Sequence, residues 1–341
     1  MELPTQADIA KIAKVHRTTV SLALKDDPRI PEKTRRRIHK IAEKLGYKPD
    51  PMLSALIARR VHRQERPFQG TLAWLVNNEG AWDWRPIFHE YHEGAVNRAK
   101  RYGYNIEIFD LANPPGMTLA RMGAILAARN IRGILVTPQP RTDVDLTAFP
   151  WEKFSAVAFG YSLKKPQLHT VGSAQFRGLK LTMRSLLGMG YKRIGFVFTL
   201  HHNEVVDHNY LGAYLAEEYL RTGGSPLIPP LIATDDFKSW YELHRPEVVI
   251  ASSGGRFIQR IRDAGLKIPE DVGVVCPFFP SRHDPWSGVY ENSVHIGEVA
   301  VDTVVSMIHR GERGVPETLQ RIMIDGVWVN GKTLLPPNPR P

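Results

Sequence analysis

Apolar residues in the first 45 positions recur three and four apart, the spacing of short amphipathic helices. Ile9, Ile12 and Ala13 mark one face of a helix over 6–13, which Thr5 can cap. Val20 with Leu24 or Ala23 marks a second over 17–24, after a break at Lys14, Val15 and His16. Asp26, Asp27 and Pro28 end it, because Asp and Pro favour turns. Ile38, Ile41, Ala42 and Leu45 form the inner stripe of a third over 32–45, closed by Gly46. Pro49 holds Lys48 extended, Asp50 can cap and Pro51 suits a first helical position, so 52–60 reads as a short helix. Alone in water such a helix is marginal and needs a partner surface. Residues 61–68 are basic and polar, a linker.

Beyond residue 70 the pattern changes. Strand-like runs at 71–76, 105–109, 133–137, 156–159, 193–199, 248–251 and 272–276 alternate with amphipathic helices. Those helices fall at 87–102, 118–129, 175–189, 209–222, 255–264 and 297–309. Alternation of this kind predicts parallel sheets covered by helices, and about 265 residues suit two such lobes better than one.

The hydrophobic fraction, 43 %, is that of a folded globular chain. No apolar run reaches the roughly 18–20 residues of a membrane span, and residues 1–10 lack the pattern of a secretory signal. The single cysteine, Cys276, excludes a disulfide framework and reads as a small buried hydrophobe. A cytoplasmic protein, associated with the nucleoid when on DNA, is the expectation. Net charge is +10, and its distribution is informative. Residues 1–66 hold 16 Lys and Arg against 8 Asp and Glu, a net +8, whereas the other 275 hold 29 against 27, a net +2. The basic excess belongs to the helical segment, where it suits a polyanion.

Two short helices joined by a tight turn on a basic module make a helix-turn-helix, whose second helix meets base edges in the major groove. Arg17 and Thr18 stand at its start and Leu22 one turn on. Arg17 can bind guanine through two hydrogen bonds, and Thr18 can bond a base or touch a thymine methyl. Thr5, Thr19, Ser21, Thr34, Lys48 and Arg59 are placed for phosphate contacts, which position without specifying sequence.

The run Pro4-Thr5-Gln6-Ala7-Asp8-Ile9-Ala10, then 15–21, Thr34-Arg35 and Glu43-Lys44-Leu45-Gly46-Tyr47-Lys48-Pro49, resembles the headpiece of the LacI–GalR (lactose repressor / galactose repressor) family. The resemblance implies a homodimer on pseudo-palindromic double-stranded operator DNA, with a hinge helix wedging a leucine into the minor groove. On this chain the wedge falls on Leu56, with Leu53 the alternative; either can instead pack two hinge helices together. The chain departs from the pattern at Lys14 and His16 in the turn, Leu22 in place of Arg, Pro31 in place of Ser and Asp50 in place of Asn. An atypical operator follows, with the docking mode retained.

Residues 180–198 and 264–272 resemble the same family's two-lobed, periplasmic-binding-protein-like sensor, which implies a ligand between lobes. The polar residues usual for sugar contact are replaced: Ser173 stands for Asp, Asn209 for Arg, Ser252-Ser253 for Asn-Asp and Cys276-Pro277-Phe278-Phe279 for Gly-Phe-Asp-Asp. Losing charge-assisted hydrogen bonds changes the ligand chemistry. Trp82, Trp84 and Phe88 near the first strand offer stacking faces, or pack as core along with Tyr91. Tyr161, Ser162, Ser173, Asn209, Ser252 and Phe278 complete the candidate lining. His201, His202 and His208 read as a solvated loop and not a metal site, since matched carboxylates and cysteines are missing.

The expected architecture is an N-terminal all-α helix-turn-helix headpiece plus an α/β two-lobed sensor with parallel sheets. Its divisions are a headpiece over 1–48, hinge helix and linker over 49–68, a core over 69–333 and a loose tail over 334–341. Lobe 1 is expected at about 69–189 and 293–311, lobe 2 at about 190–292 and 312–333. The expected function is a DNA-binding transcriptional repressor tuned by a carbohydrate-related effector. The alternative is a DNA-binding regulator whose pocket is vestigial or occupied by a protein. No catalytic constellation, metal set or dinucleotide fingerprint is legible, so neither an enzyme nor a cofactor is expected.

Overall fold

The computed structural model describes residues 6–24, 27, 29–45, 68–78, 85–112, 114–225, 227–252, 255–279 and 285–335. The contacts divide the chain into two compact units, Met1–Glu65 and Arg66–Pro341. Among the described residues no helix is long and apolar enough to cross a membrane.

The first unit holds α1 (Gln6–Ala13), α2 (Arg17–Ala23) and α3 (Glu32–Lys44). Ile9, Ala10, Ala13, Val20, Ala23, Ile38 and Ala42 form its core, with Val15, Leu24, Ile30, Ile41 and Leu45 packed on the margin. Ile12, expected inside, is 55 % exposed, and Ala10 faces inward instead. At 3.6 residues per turn Ile9, Ala13 and Ala10 share one arc, and Ile12 lies about 60° outside it. Lys14 takes a left-handed turn (φ 49°) between α1 and α2, at about 1–2 kcal/mol for a residue with a Cβ. Arg37 donates to the Ala13 carbonyl at 3.0 Å, satisfying one of the free acceptors at the end of α1.

Two six-stranded sheets make up the second unit. Lobe 1 contains β1 (Gly70–Val76), α4 (Arg85–Arg101), β2 (Tyr104–Asp110), α5 (Leu119–Ala128), β3 (Gly133–Val136), β4 (Ser155–Phe159) and β5 (His169–Ser173). The chain then enters lobe 2 through α6 (Gln175–Gly188), β6 (Ile194–Phe198), α7 (Leu200–Val205), α8 (Asn209–Thr222) and β7 (Leu231–Ile232). It continues through α9 (Phe237–His244), β8 (Val248–Ala251), α10 (Gly255–Asp263), β9 (Gly273–Phe279) and β10 (Ser287–Tyr290). α11 (Ser293–Arg310) and β11 (Arg321–Ile324) return to lobe 1, and β12 (Val327–Val329) closes lobe 2.

Strand order is β11-β5-β4-β3-β1-β2 in lobe 1, parallel throughout, and β12-β10-β9-β8-β6-β7 in lobe 2, where only β12 is antiparallel. The chain therefore crosses between lobes three times: near 174, at 291–292 and at 325–326. This corrects two expected divisions. Helix α6, assigned to lobe 1 from sequence, buries Leu179, Met183 and Leu186 against Ile194, Phe196 and Ile250 of lobe 2. Segment 312–333, assigned to lobe 2, gives β11 to the lobe 1 sheet. Hydrophobic periodicity locates a helix but does not tell which sheet it covers.

The strands β5, β7, β10, β11 and β12 and helices α7 and α9 escaped the pattern; β7 and β12, of two and three residues, are too brief for a clear period. His201 and His202 lie in helix α7, not in a loop, and His208 stands left-handed before α8. Leu334, expected in a loose tail, packs on the lobe 2 core; residues 336–341 lie outside the described residues.

Candidate functional site

In open parallel sheets ligands collect beyond the carboxyl ends of strands, where strand order reverses. In lobe 1 that point lies between β1 and β3, and in lobe 2 between β6 and β8. Asn77 and Asn78 follow β1, Thr137 and Gln139 follow β3, Thr199 follows β6 and Ser252 follows β8.

The lobe 1 groups largely bind one another. Ser162 Oγ accepts from the Gln139 N–H at 2.7 Å, and Gln139 Nε2 donates to the Thr137 carbonyl at 2.8 Å. Asn77 Nδ2 reaches Gln139 Oε1 at 3.3 Å. Asn78 Nδ2 donates to Asp110 at 2.8 Å, leaving its buried Oδ1 without a partner. Tyr161 donates to the Met323 sulfur at 2.9 Å. Phe88 sits at a break in α4 (φ −113°, ψ 20°) and packs on the lobe 1 core, 5.3 Å from the Tyr91 ring.

The lobe 2 wall is built from rings. His202, Tyr210 and Phe278 stack nearly parallel, with Phe278 5.2 Å from His202 and 5.6 Å from Tyr210. Burial, and next the neighbouring His201, push the His202 imidazole down to about 4, so it is neutral at pH 7. Several polar atoms here lack partners: Tyr210 Oη, Ser252 Oγ and Asn203 Oδ1. Asn209 instead donates back to the Val206 carbonyl at 2.7 Å. Cys276 is buried and its thiol donates to the Phe278 carbonyl.

Glu291 lies at the base of the cleft, in the crossover between β10 and α11, and is 3 % exposed. The Tyr91 hydroxyl, Ser173 and Ser293 hydrogen-bond to it. Tyr91 reaches it because α4 and α11 cross with their backbones in contact. A Cβ on Gly94 would stand 1.9 Å from the Val294 carbonyl oxygen, and one on Gly297 2.0 Å from that of Tyr91. Arg98 and Asp302 join the same two helices at 2.6 Å. Beside Glu291, Tyr290 donates across the lobes to Glu90 at 2.8 Å. Burial pushes the Glu291 carboxyl up to about 7, its hydrogen bonds oppose this, and Glu90 adds to it. Burial, then Glu291, raises the Tyr91 and Tyr210 hydroxyls well above the usual tyrosine range.

Of the lining residues expected from sequence, the structure brings Ser173 to Glu291 and sets Ser252 and Phe278 on the lobe 2 wall. Ser162 serves the lobe 1 backbone. Trp82 and Trp84 lie outside the described residues, as do Thr5, Lys48, Leu53, Leu56 and Arg59 of the expected DNA contacts. For Arg17, Thr18 and Ser21 only the α2 backbone is described; Thr19, Leu22 and Thr34 are half-buried. Glu291 and Tyr210 escaped sequence reading, because a lone carboxylate after a strand and a tyrosine at helical spacing carry no motif. A surface groove of about 320 Å³ between β2 and α4, lined by Thr71, Lys100, Asn105 and Glu107 among others, lies apart from these groups.

A helix-turn-helix bundle and a two-lobed core of parallel sheets define a class: a DNA-binding module carried with a binding-protein-like domain. Residues 5–50 match the family model described as bacterial regulatory proteins, lacI family, and residues 183–329 that of a periplasmic binding protein-like domain. The chain belongs to the lacI family and is a DNA-binding transcriptional regulator. No curated protein matches it significantly in sequence. Among solved structures it is similar to a transcriptional regulator CelR–cellobiose complex, at 20 % identity over 97 % of this chain and 99 % of that one, with a TM-score of 0.58. A LacI-family regulator from Silicibacter pomeroyi matches at 17 % identity over 97 % and 99 %, TM-score 0.54. The Lac repressor dimer bound to operator and the anti-inducer ONPF matches at 15 % over 98 % and 100 %, TM-score 0.53. At these identities the likeness is one of fold.

Proposed function

We propose that this regulator is a cytoplasmic repressor, binding a pseudo-palindromic operator as a homodimer, with its DNA affinity set by a small carbohydrate-related molecule held between the lobes. The observation that carries the effector is the lobe 2 wall: buried Tyr210, Ser252 and Asn203 atoms without partners beside stacked ring faces. Buried polar atoms are almost always paired in a folded chain, so a ligand that supplies the missing bonds fits there. That disfavours a vestigial pocket. The cellobiose-bound regulator of the same fold supports a saccharide, and the operator-bound dimer supports the assembly.

The ligand acts by linkage: it shifts DNA binding only as far as it favours one lobe arrangement over the other. In the headpiece, Arg17, Thr18 and Leu22 read bases, Thr5, Thr19, Ser21, Thr34, Lys48 and Arg59 hold phosphate, and Leu56 or Leu53 wedges the minor groove.

Operator selection from random duplexes, with and without saccharides and nucleosides, tests the whole reading. A palindromic consensus whose affinity changes with one compound is the expected result. Arg17→Ala should relax preference at one base pair by about 1–3 kcal/mol, while Lys48→Ala or Arg59→Ala should weaken all sequences alike. An unchanged consensus with Arg17→Ala would refute the register of α2.

A further inference from the structure

Glu291 is a buried carboxylate whose hydrogen-bond partners, Tyr91, Ser173 and Ser293, are all neutral. A second carboxylate, Glu90, acts on it, and among the described residues no Lys or Arg pairs with either. A buried charge without a counter-charge is costly, and positive charge brought by a ligand removes that cost. The surroundings point the same way. Tyr210 is 2 % exposed, its hydroxyl has no partner, and it lies close enough to Glu291, Cys276 and Tyr161 to interact with each. On the same lobe 2 wall Asn203 Oδ1 and Ser252 Oγ, the latter in a residue 1 % exposed, have no partner, and across the cleft in lobe 1 neither has Asn78 Oδ1. An ammonium group is donor only, and satisfies acceptors without requiring a donor in return. The faces of Tyr210 and Phe278 lie parallel, 10° apart, as a platform for a ring, and tyrosine faces attract cations besides.

We infer that the cleft takes a small organic cation, a ring compound bearing a primary ammonium, with the charged end against Glu291 and the ring against Tyr210 and Phe278. This rests on the cleft being the effector site and deepens that reading. It replaces the neutral polyol implied by the fold with an amine, either an amino sugar or an aromatic amine, which share this chemistry. It also gives a reason for the missing Asp and Arg residues at Ser173, Asn209, Phe278 and Phe279: the charge has moved to the crossover.

The test uses two pairs matched in shape and differing in charge, glucosamine against glucose and tyramine against tyrosol. Binding to the full chain is measured by calorimetry and by thermal shift. The expected result is that the amine of one pair binds at least about tenfold tighter than its neutral partner, and that Glu291→Gln removes that advantage. Which pair responds identifies the source. A measurement on the unaltered chain guards against a variant that fails to fold. Near about pH 6.5, amine binding should release a proton as Glu291 ionises, read from titrations in buffers of different ionisation heat. Equal binding of neutral and amine partners, or amine binding without proton release, overturns the inference and leaves the effector reading intact. If all four probes fail but a neutral saccharide or nucleoside binds, the inference alone falls; if nothing binds, both fall.

Discussion

The two lobes are near-copies in architecture and opposites at the cleft. Each carries a six-stranded, mainly parallel sheet with one switch point, between β1 and β3 or between β6 and β8. In lobe 1 the polar groups beyond the strands mostly bind each other, as Ser162, Gln139 and Thr137 do. In lobe 2 the corresponding positions hold Ser252 and Asn203 with open atoms, and three stacked rings. A closed set of hydrogen bonds fixes a surface, and an open set waits for a partner. Lobe 1 thus reads as the platform, lobe 2 as the wall that senses, and Glu291 as the group between them.

The largest expected effect concerns Glu291. Its carboxyl is raised from 4.5 to about 7 in the folded chain. A raised folded value means that the stability contributed by the protonated form is fully present below pH 4.5 and lost as pH rises to about 7. Linkage makes this about 3 kcal/mol. Denaturant unfolding of the ligand-free chain from pH 4.5 to 8 should show that fall, and Glu291→Gln should lack it and be the more stable above pH 7. Parallel curves for the two chains would place the strain elsewhere.

Next comes a direct contrast of the two walls. Ser162→Ala leaves the buried Gln139 N–H without its acceptor, and should cost about 1–3 kcal/mol. Ser252→Ala removes a buried hydroxyl that bonds to nothing, and should leave stability unchanged or raise it by up to about 1 kcal/mol. The ranking should reverse for effector affinity, with Ser252→Ala the more damaging. Equal stability costs in urea unfolding would mean that lobe 2 is as self-satisfied as lobe 1.

The contrast also explains what was legible beforehand. Strand–helix alternation and the helix-turn-helix spacing are local properties, carried by residues such as Ile38 and Ala42 or Val248 to Ala251. The allegiance of α6 and β11 was not local, because a helix stripe fits either sheet and only the crossovers decide. Ser252 and Phe278 were found through their places in a resemblance. Glu291 was not, since its significance depends on Tyr91 brought 200 positions along the chain by the Gly94–Gly297 crossing.

The smallest expected effect lies at the rim, where lobe 1 meets lobe 2 directly. Lys164 Nζ sits 2.7 Å from Asp207, and Thr142 Oγ1 donates to Glu204 at 2.8 Å. Both pairs are solvated, so each is worth about 0–1 kcal/mol and less in salt. Lys164→Ala should therefore move the melting temperature by no more than about 2 °C. If the cleft groups at Glu90, Tyr290, Tyr91 and Glu291 hold the lobes together, effector affinity should change by less than about threefold in that variant. The rim contacts are peripheral under this account, and they join lobes whose arrangement is fixed at the base. A large loss of affinity with little loss of stability would mean that Lys164 and Asp207, rather than the groups around Glu291, hold the lobes together.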